Sequence, residues 1–138
     1  MNQEEKYIKL AIKTANESGS AMGAVLVKDY KVVAVGNPQV KQIKDPTAHG
    51  ECVCMRKACQ KLDTVNLTGC TLYTTLEPCS MCLACASWSK VSKIVFGAYQ
   101  EDIPPNPYEI TDYHAEEHAK KLNPPIEIVG GVLRKECA

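Results

Sequence analysis

Two short motifs, His49-Gly50-Glu51 and Pro78-Cys79-Ser80-Met81-Cys82, constrain the fold of this chain more than any other feature of its sequence. Imidazole nitrogen and cysteine sulfur are donors that zinc prefers, and a zinc ion that acts on a substrate has three protein ligands and an open fourth position. His49, Cys79 and Cys82 supply three such ligands. The fold must therefore bring two segments that are distant in the sequence to one metal ion.

Each motif has the features of a helix start. Cys79 and Cys82 are three residues apart, so they lie on one face of a helix. Pro78 before them is typical of a first turn, where its missing N–H costs nothing, and a helix N-terminus also favours the thiolate form of cysteine. His49 opens a run with helical apolar spacing. We therefore expect the N-termini of two helices to converge on the ion.

Glu51 is the polar group that the ligand set leaves over. Zinc lowers the pKa of a bound water to about 7, and a carboxylate two residues from the histidine is placed to move that water's proton. Two alternatives stay open. A zinc site that only stabilises the fold would need a fourth ligand, which Cys85, Cys52 or Cys54 could provide. A C-x-x-C redox pair is also possible, but it leaves His49 and Glu51 unexplained.

Length and composition predict one domain, residues 1–138, large enough to bury a hydrophobic core. Basic and acidic residues number 16 each, so the formal net charge is zero. This balance argues against nucleic acid as the main partner, although Lys28, Lys41 and Lys44 could form a local basic patch. The charged N-terminus predicts no signal peptide, and no apolar run predicts a membrane span. Eight cysteines in such a chain are expected to be reduced thiols in the cytoplasm.

Hydrophobic periodicity predicts alternating helices and strands. The predicted helices span residues 4–17, 48–62, 79–89 and 111–121, and the predicted strands span residues 24–27, 31–35, 71–75, 93–97 and 126–129. The first two strands form a hairpin through Asp29-Tyr30. The order α-β-β-α-β-α-β-α-β predicts an α/β fold, a three-layer α/β/α sandwich with a central mixed five-stranded sheet.

The two motifs together resemble the cytidine/deoxycytidylate deaminase superfamily, whose signature is H-x-E…P-C-x-x-C. The resemblance covers residues 23–95, and Gly23–Val27, Asp45–His49 and Thr71–Cys79 carry it most clearly. It implies a cytidine deaminase-like fold and a zinc-dependent hydrolase that removes an exocyclic amine from a base as ammonia, with Glu51 as the proton shuttle. It also implies a homodimer.

The resemblance is to the branch that contains cytosine, guanine and tRNA adenosine deaminases. Trp88 is similar to a tryptophan that lines the base pocket of guanine deaminases, and Gly50 is like fungal cytosine deaminases. Residues 95–98 and 131–133 are similar to bacterial tRNA adenosine deaminases. We expect a small base or nucleoside as substrate, guanine-like first and cytosine-like second. A tRNA-specific adenosine deaminase is the alternative, and a structural zinc-binding interaction module is the alternative of another class.

The same resemblance implies substrate contacts from Asn37, Ala48, Trp88, Glu109 and Asp112. The branch carries a substrate-binding asparagine after the second strand, and an ungapped match backwards from His49 shifts Asn37 from that register by one residue. Glu109 and Asp112 are candidates for the second catalytic carboxylate that guanine deaminases carry downstream.

A third pattern, His114-Ala115-Glu116-Glu117-His118, matches the H-x-x-E-H motif of inverted zinc peptidases. Its two histidines could share a helical face, but no third ligand is evident downstream. We expect a polar helix face with exposed imidazoles, and as an alternative one of these histidines borders the substrate mouth.

Overall fold

The computed structural model describes residues Met1–Ala138, and its centre is a mixed sheet of five strands. The strands are β1 (Ala24–Lys28), β2 (Lys31–Gly36), β3 (Cys70–Leu76), β4 (Lys93–Ala98) and β5 (Glu127–Val129). They lie in the order β2-β1-β3-β4-β5. β1 is antiparallel to β2 and β3, whereas β4 is parallel to β3 and β5. The predicted mixed five-stranded sheet is confirmed.

Helices cover both faces of this sheet. They are α1 (Gln3–Ser18), α2 (Val40–Ile43), α3 (Gly50–Leu62), α4 (Ser80–Trp88), α5 (Ala115–Ala119) and α6 (Arg134–Cys137), with a 3-10 turn at Gln100–Asp102. Successive strand residues point to opposite faces. Leu26 and Leu72 therefore pack in one core with α3 and α4, and Val25 and Tyr73 pack in another with α1. The three-layer α/β/α sandwich is confirmed.

The first motif is held against the sheet by a close approach of β2 and α3. A Cβ atom on Gly36 would lie 2.3 Å from the carbonyl oxygen of Gly50 and 2.6 Å from the backbone nitrogen of Cys54, so only glycine fits there. The N–H of Gln39 also donates to the carbonyl of Ala48 at 2.9 Å. These contacts fix the start of α3, and with it the position of His49.

The second motif lies at the carboxyl edge of the parallel strands β3 and β4, where α/β proteins commonly place their sites. Glu77 and Pro78 connect β3 to α4, and the N–H of Glu77 donates to the carbonyl of Ala98 at the end of β4 at 2.8 Å. The turn into α4 is therefore anchored on both strands.

The structure departs from the predicted elements mainly near the C-terminus. The sequence predicts a helix over residues 111–121, but α5 is shorter. Asp112 has a positive φ of 58°, and the hydroxyl of Tyr113 donates to the carbonyl of Pro78 at 2.7 Å. Both features hold the preceding residues out of the helix. The single turn α2, which is capped by Lys44 with a φ of 56°, and the short α6 are absent from the predicted order.

The longest helix, α1, packs on the sheet, and no helix has both the length and the apolar character needed to cross a bilayer.

Candidate metal centre

Both motifs lie at helix starts, as their sequences predict. His49 is the N-cap residue of α3 and Cys79 is the N-cap residue of α4, and both have extended backbones. The sulfur of Cys79 accepts a hydrogen bond from the N–H of Cys82 at 3.5 Å, which satisfies one of the free N–H groups of the first helical turn. Two helix N-termini thus meet at one point.

The three predicted ligands form a compact donor set. Their ligand atoms all lie within 4.8 Å of one another. Nδ1 of His49 is 3.5 Å from the sulfur of Cys79 and 3.7 Å from the sulfur of Cys82. In a tetrahedral zinc site with zinc–sulfur bonds of about 2.3 Å and zinc–nitrogen bonds of about 2.0 Å, nitrogen and sulfur ligands are about 3.5 Å apart. The two nitrogen–sulfur distances therefore match those of a tetrahedral zinc site.

The group that could hold a metal contains only these three residues. The sulfur of Cys52 is 3.6 Å from that of Cys82, but Cys52 is not one of the converging donors. The thiol of Cys54 donates to the carbonyl of Ala34 at 3.5 Å. The arrangement favours three protein ligands with one open position over a closed structural site.

The cysteine ligands are electrostatically suited to a cation. Hydrogen bonding from Cys82 lowers the pKa of the Cys79 thiol to about 6, and the charge of His49 acts in the same direction. The hydrogen bonds of the Cys82 thiol to Cys52 and Cys79 raise its pKa, and burial acts in the same direction, so this thiol holds its proton. A dication displaces that proton, because zinc binds cysteine as the thiolate.

Glu51 is buried beside the ligands, with 4% of its surface exposed. Burial raises the pKa of its carboxyl group to about 8, and negative charge on Cys79 adds to the rise. A positive ion at the ligands acts in the opposite direction. A carboxyl group under these opposing influences can both accept and release a proton near neutral pH.

A cavity of about 430 Å³ opens onto the ligands His49 and Cys79. Its volume is within the range of small-molecule sites. The other residues that line it are Pro46, Ser80, Met81, Asn106, Tyr108 and Glu109. The metal centre therefore faces a pocket large enough for a nucleobase.

Three of the five expected substrate residues lie near the metal motifs, and one of them lines this pocket. Glu109 lines it. Ala48 is fully buried beside His49. Asn37 lies close to Gly50, since its carbonyl carbon is 3.5 Å from the position of a Cβ on that glycine. The side-chain oxygen of Asn37 is buried and has no hydrogen-bond partner, which is rare for a buried polar atom.

Two of the expected substrate residues, Trp88 and Asp112, do not line the metal pocket. Trp88 is 83% exposed and lines a groove between α3 and α4. Asp112 is exposed and borders a second cavity next to the 3-10 turn. The histidines of the H-x-x-E-H pattern form no ligand group: His114 and His118 are absent from the donor set, and Nδ1 of His118 lies 3.0 Å from the carbonyl of His114.

The structure also shows a residue whose role the sequence does not reveal. Glu77 is 3% exposed, and its carboxylate accepts hydrogen bonds from the N–H groups of Gln100 and Ala115, each at 2.9 Å. Both N–H groups begin a helical turn, where a negative charge is favourable. The only signal in the sequence is the position of Glu77 two residues before Cys79, and it identifies neither partner.

Comparison with known proteins places this site in a family. The profile of the cytidine and deoxycytidylate deaminase zinc-binding region matches residues 1–98. The tRNA-specific adenosine deaminase of Bacillus subtilis is 38% identical over 141 residues, which cover 99% of this chain and 85% of that protein. The guanine deaminase of Bacillus subtilis is 39% identical over 103 residues, which cover 71% of this chain and 66% of that protein. The match thus spans about two thirds of that relative's length.

Solved structures agree with the sequence relatives. A structure from work on A-to-I editing by tRNA:A34 deaminases superimposes with a TM-score of 0.78 at 28% identity and covers 96% of both chains. The guanine deaminase from Bacillus subtilis superimposes with a TM-score of 0.69 at 31% identity and covers 88% of this chain and 91% of that one. With its donor set, its fold and these relatives, the chain belongs to the cytidine and deoxycytidylate deaminase family of zinc-dependent hydrolases that act on C–N bonds.

Proposed function

We propose that this chain deaminates adenosine in tRNA, converting the adenine base to hypoxanthine. The observation that carries the proposal is the extent of the match. Similarity to the tRNA-specific adenosine deaminase of Bacillus subtilis covers 99% of the chain, whereas similarity to the guanine deaminase of the same organism covers 71%. The first relative therefore accounts for the C-terminal part of the chain, which contributes Asn106, Tyr108 and Glu109 to the pocket.

The sequence favours a guanine-like substrate, and that preference is not confirmed. It depends on Trp88, which lies outside the metal pocket. Guanine is nevertheless the second candidate, because the guanine deaminase of Bacillus subtilis has a comparable identity of 39% over the shared region. A formal net charge of zero also fits a small base better than a nucleic acid.

The chemistry follows from the residues at the pocket. A zinc ion held by His49, Cys79 and Cys82 supplies Lewis-acid activation of water at neutral pH. Glu51 accepts one proton from the attacking water and delivers it to a ring nitrogen. It then carries the second proton, from the new hydroxyl group on the ring carbon, to the exocyclic amine. The amine leaves as ammonia, and the oxygen of water becomes the carbonyl oxygen of the product. The side-chain oxygen of Asn37 is buried without a hydrogen-bond partner, and a donor group of the substrate that reached it would satisfy it.

Two lysines near the pocket fit a phosphate backbone. Lys41 and Lys44 are exposed on and just after α2, and Pro46, two residues further on, lines the pocket. The ammonium group of Lys44 donates to the backbone carbonyl of Lys41 at 2.9 Å, so the Lys44 cation lies against the helical turn that carries Lys41. Lysine contacts to phosphate strengthen binding in a salt-dependent manner.

The decisive experiment measures ammonia release from a panel of substrates. The zinc-loaded protein is incubated with anticodon stem-loop RNA that carries adenosine at the wobble position, and separately with guanine, cytosine, adenine and their nucleosides. We expect the RNA to yield inosine, and we expect its binding to weaken steeply between about 50 and 200 mM salt, because protein–phosphate contacts release counterions. Turnover of free guanine with none of the RNA would exclude the proposal in favour of the second candidate.

A matched pair of variants tests the role of the lysine surface. Lys41→Glu with Lys44→Glu should reduce RNA turnover at low salt and flatten its salt dependence. Lys6→Glu with Lys9→Glu makes the same charge change on α1, which packs on the opposite face of the sheet, and should leave turnover unchanged. Equal losses in both pairs would indicate a general charge effect and no phosphate surface.

We also propose that two copies of the chain associate through the groove between α3 and α4. The groove has a volume of about 580 Å³, and its apolar lining includes Met55, Met81 and Ala84. Trp88 lines it as well, with 83% of its surface exposed. A projecting aromatic ring and a groove on one surface suit a two-fold interface, because each copy presents both parts to the other.

The eight free cysteines fit a reducing cytoplasmic setting.

Trp88→Ala tests this association. Buried tryptophans at interface centres commonly contribute about 2 kcal/mol or more, so we expect the dimer dissociation constant to rise at least about 30-fold in analytical ultracentrifugation. Val65 is also exposed, at 81%, but is not among the groove residues, and Val65→Ala is the control that should leave association unchanged. A wild-type protein that is monomeric at high concentration would contradict the proposal.

A further inference from the structure

Glu109 joins the loop at the mouth of the pocket to the helix that carries two metal ligands. Its Oε2 atom accepts a hydrogen bond from the N–H of Ser80 at 2.9 Å, and its Oε1 atom accepts from the Ser80 hydroxyl at 2.6 Å and from the N–H of Ile110 at 2.7 Å. Ser80 is the first residue of α4 and directly follows the ligand Cys79. The carboxylate thus spans the loop and the metal-binding helix.

The loop that contains Glu109, residues 103–113, is held by buried hydrogen bonds at its ends and is exposed at its tip. At the base, the buried carboxylate of Glu77 accepts the N–H groups of Gln100 and Ala115. Tyr113 adds a buried hydrogen bond to the carbonyl of Pro78. At the tip, Tyr108 is 94% exposed and lines the metal pocket. Between base and tip, the bond from Glu109 to Ser80 is the link that keeps the loop close to the metal centre.

We propose that Glu109 is a positioning residue that sets the distance between the mouth loop, residues 103–113, and the metal centre. The proposal deepens the proposed function, because it concerns how the same pocket admits its base. When the carboxylate holds Ser80, Tyr108 and Asn106 border the pocket. When that link is broken, the buried base holds the loop at its ends only, and the mouth widens.

The hydrogen bonds of Glu109 distinguish positioning from direct contact with substrate. Three donors already occupy the two oxygens, two of them on Oε1. A carboxylate with its donors inside the protein loses those bonds if it turns to a substrate amine, and charge-assisted bonds of this kind are the stronger ones. These bonds favour a positioning role for Glu109 over the role of second catalytic carboxylate, for which the family resemblance makes Glu109 and Asp112 candidates.

The test combines Glu109→Gln, Ser80→Ala and the double variant, with Glu117→Gln as the control. Glu117 is an exposed acid on α5 and is not a lining residue of the metal pocket. Hydrogen exchange of the backbone amides in residues 103–113 is measured without substrate, so this arm does not depend on the identity of the substrate. Zinc content and the KM and kcat for the best substrate of the panel are measured in parallel.

We expect Glu109→Gln to reduce exchange protection in residues 106–110 about tenfold, as the loss of a charge-assisted bond predicts. KM should rise by a similar factor, whereas zinc content and kcat should change much less. Ser80→Ala should give part of the same effect, and the double variant should resemble Glu109→Gln alone, because both side chains serve one link. Unchanged hydrogen exchange in Glu109→Gln would overturn the proposal. So would a double variant whose loss of kcat equals the product of the losses in the two single variants, because the two side chains would then act independently.

Discussion

Replacement of Glu51 by glutamine is expected to reduce ammonia release by about 100- to 10,000-fold while the protein keeps its zinc. General acid–base catalysis contributes a factor of this size, and Glu51 is the carboxyl group buried beside the ligand set. Glutamine has nearly the same shape, so the buried volume is preserved. It has no proton to exchange between water, ring nitrogen and leaving amine. The measurement is steady-state turnover together with zinc per chain by elemental analysis.

The control for this experiment is Glu136→Gln. Glu136 is exposed on α6, so its substitution should leave both turnover and zinc unchanged. A Glu51→Gln protein with more than about one tenth of wild-type turnover would contradict the role of Glu51, because proton transfer normally contributes at least about 100-fold. A variant that loses zinc would instead show that Glu51 supports the metal site.

The metal ligands could be predicted from the sequence because their geometry is local. Cys79 and Cys82 are neighbours in the first turn of one helix, and this does not depend on contacts with distant residues. The N-cap position of Cys79 follows from Pro78 before it and the apolar residues after it. The sheet could be predicted for a similar reason. Neighbouring residues of β1, such as Val25 and Leu26, enter different cores. A strand that is buried on both faces has a continuous apolar run, and residues 24–27 form such a run.

The surroundings of the ligands could not be predicted, because they depend on contacts between distant residues. Glu77 bonds to Gln100 and Ala115, and Glu109 bonds to Ser80. No spacing rule links such pairs. Another tertiary contact, the hydrogen bond from Tyr113 to the carbonyl of Pro78, helps to shorten α5, whose predicted extent follows from helical spacing alone.

Trp88 shows a different limit of sequence patterns. Its place at the end of α4 is consistent with a wall of the substrate pocket or with an exposed surface, and residue spacing does not say which neighbour covers that face. The structure places it in the groove between α3 and α4. The guanine-like preference depends on the first of these two interpretations, and the relatives favour the tRNA enzymes.

Substitution of Cys82 by serine should remove zinc and destabilise the fold. The change deletes one of three donors, and its effect on zinc affinity should exceed the roughly 10- to 100-fold that loss of a hydrogen-bond partner of a ligand causes. A ligand present at 1,000 times its dissociation constant stabilises the native state by about 4 kcal/mol. We therefore expect a lower melting temperature than that of the wild-type protein, with the difference largely abolished when a chelator is added to both.

Cys85→Ser is the matched control for this substitution, and it also decides between an open and a closed metal site. Cys85 lies on α4, three residues after Cys82, and outside the donor set. If three ligands hold the ion, Cys85→Ser should keep one zinc per chain and its turnover, while Cys82→Ser loses both. If Cys85 closes the site as a fourth ligand, both variants should lose affinity for zinc. The two serine variants thus test whether the zinc ion has an open fourth position. Any hydrolytic chemistry at this centre depends on that position, because the reacting water binds there.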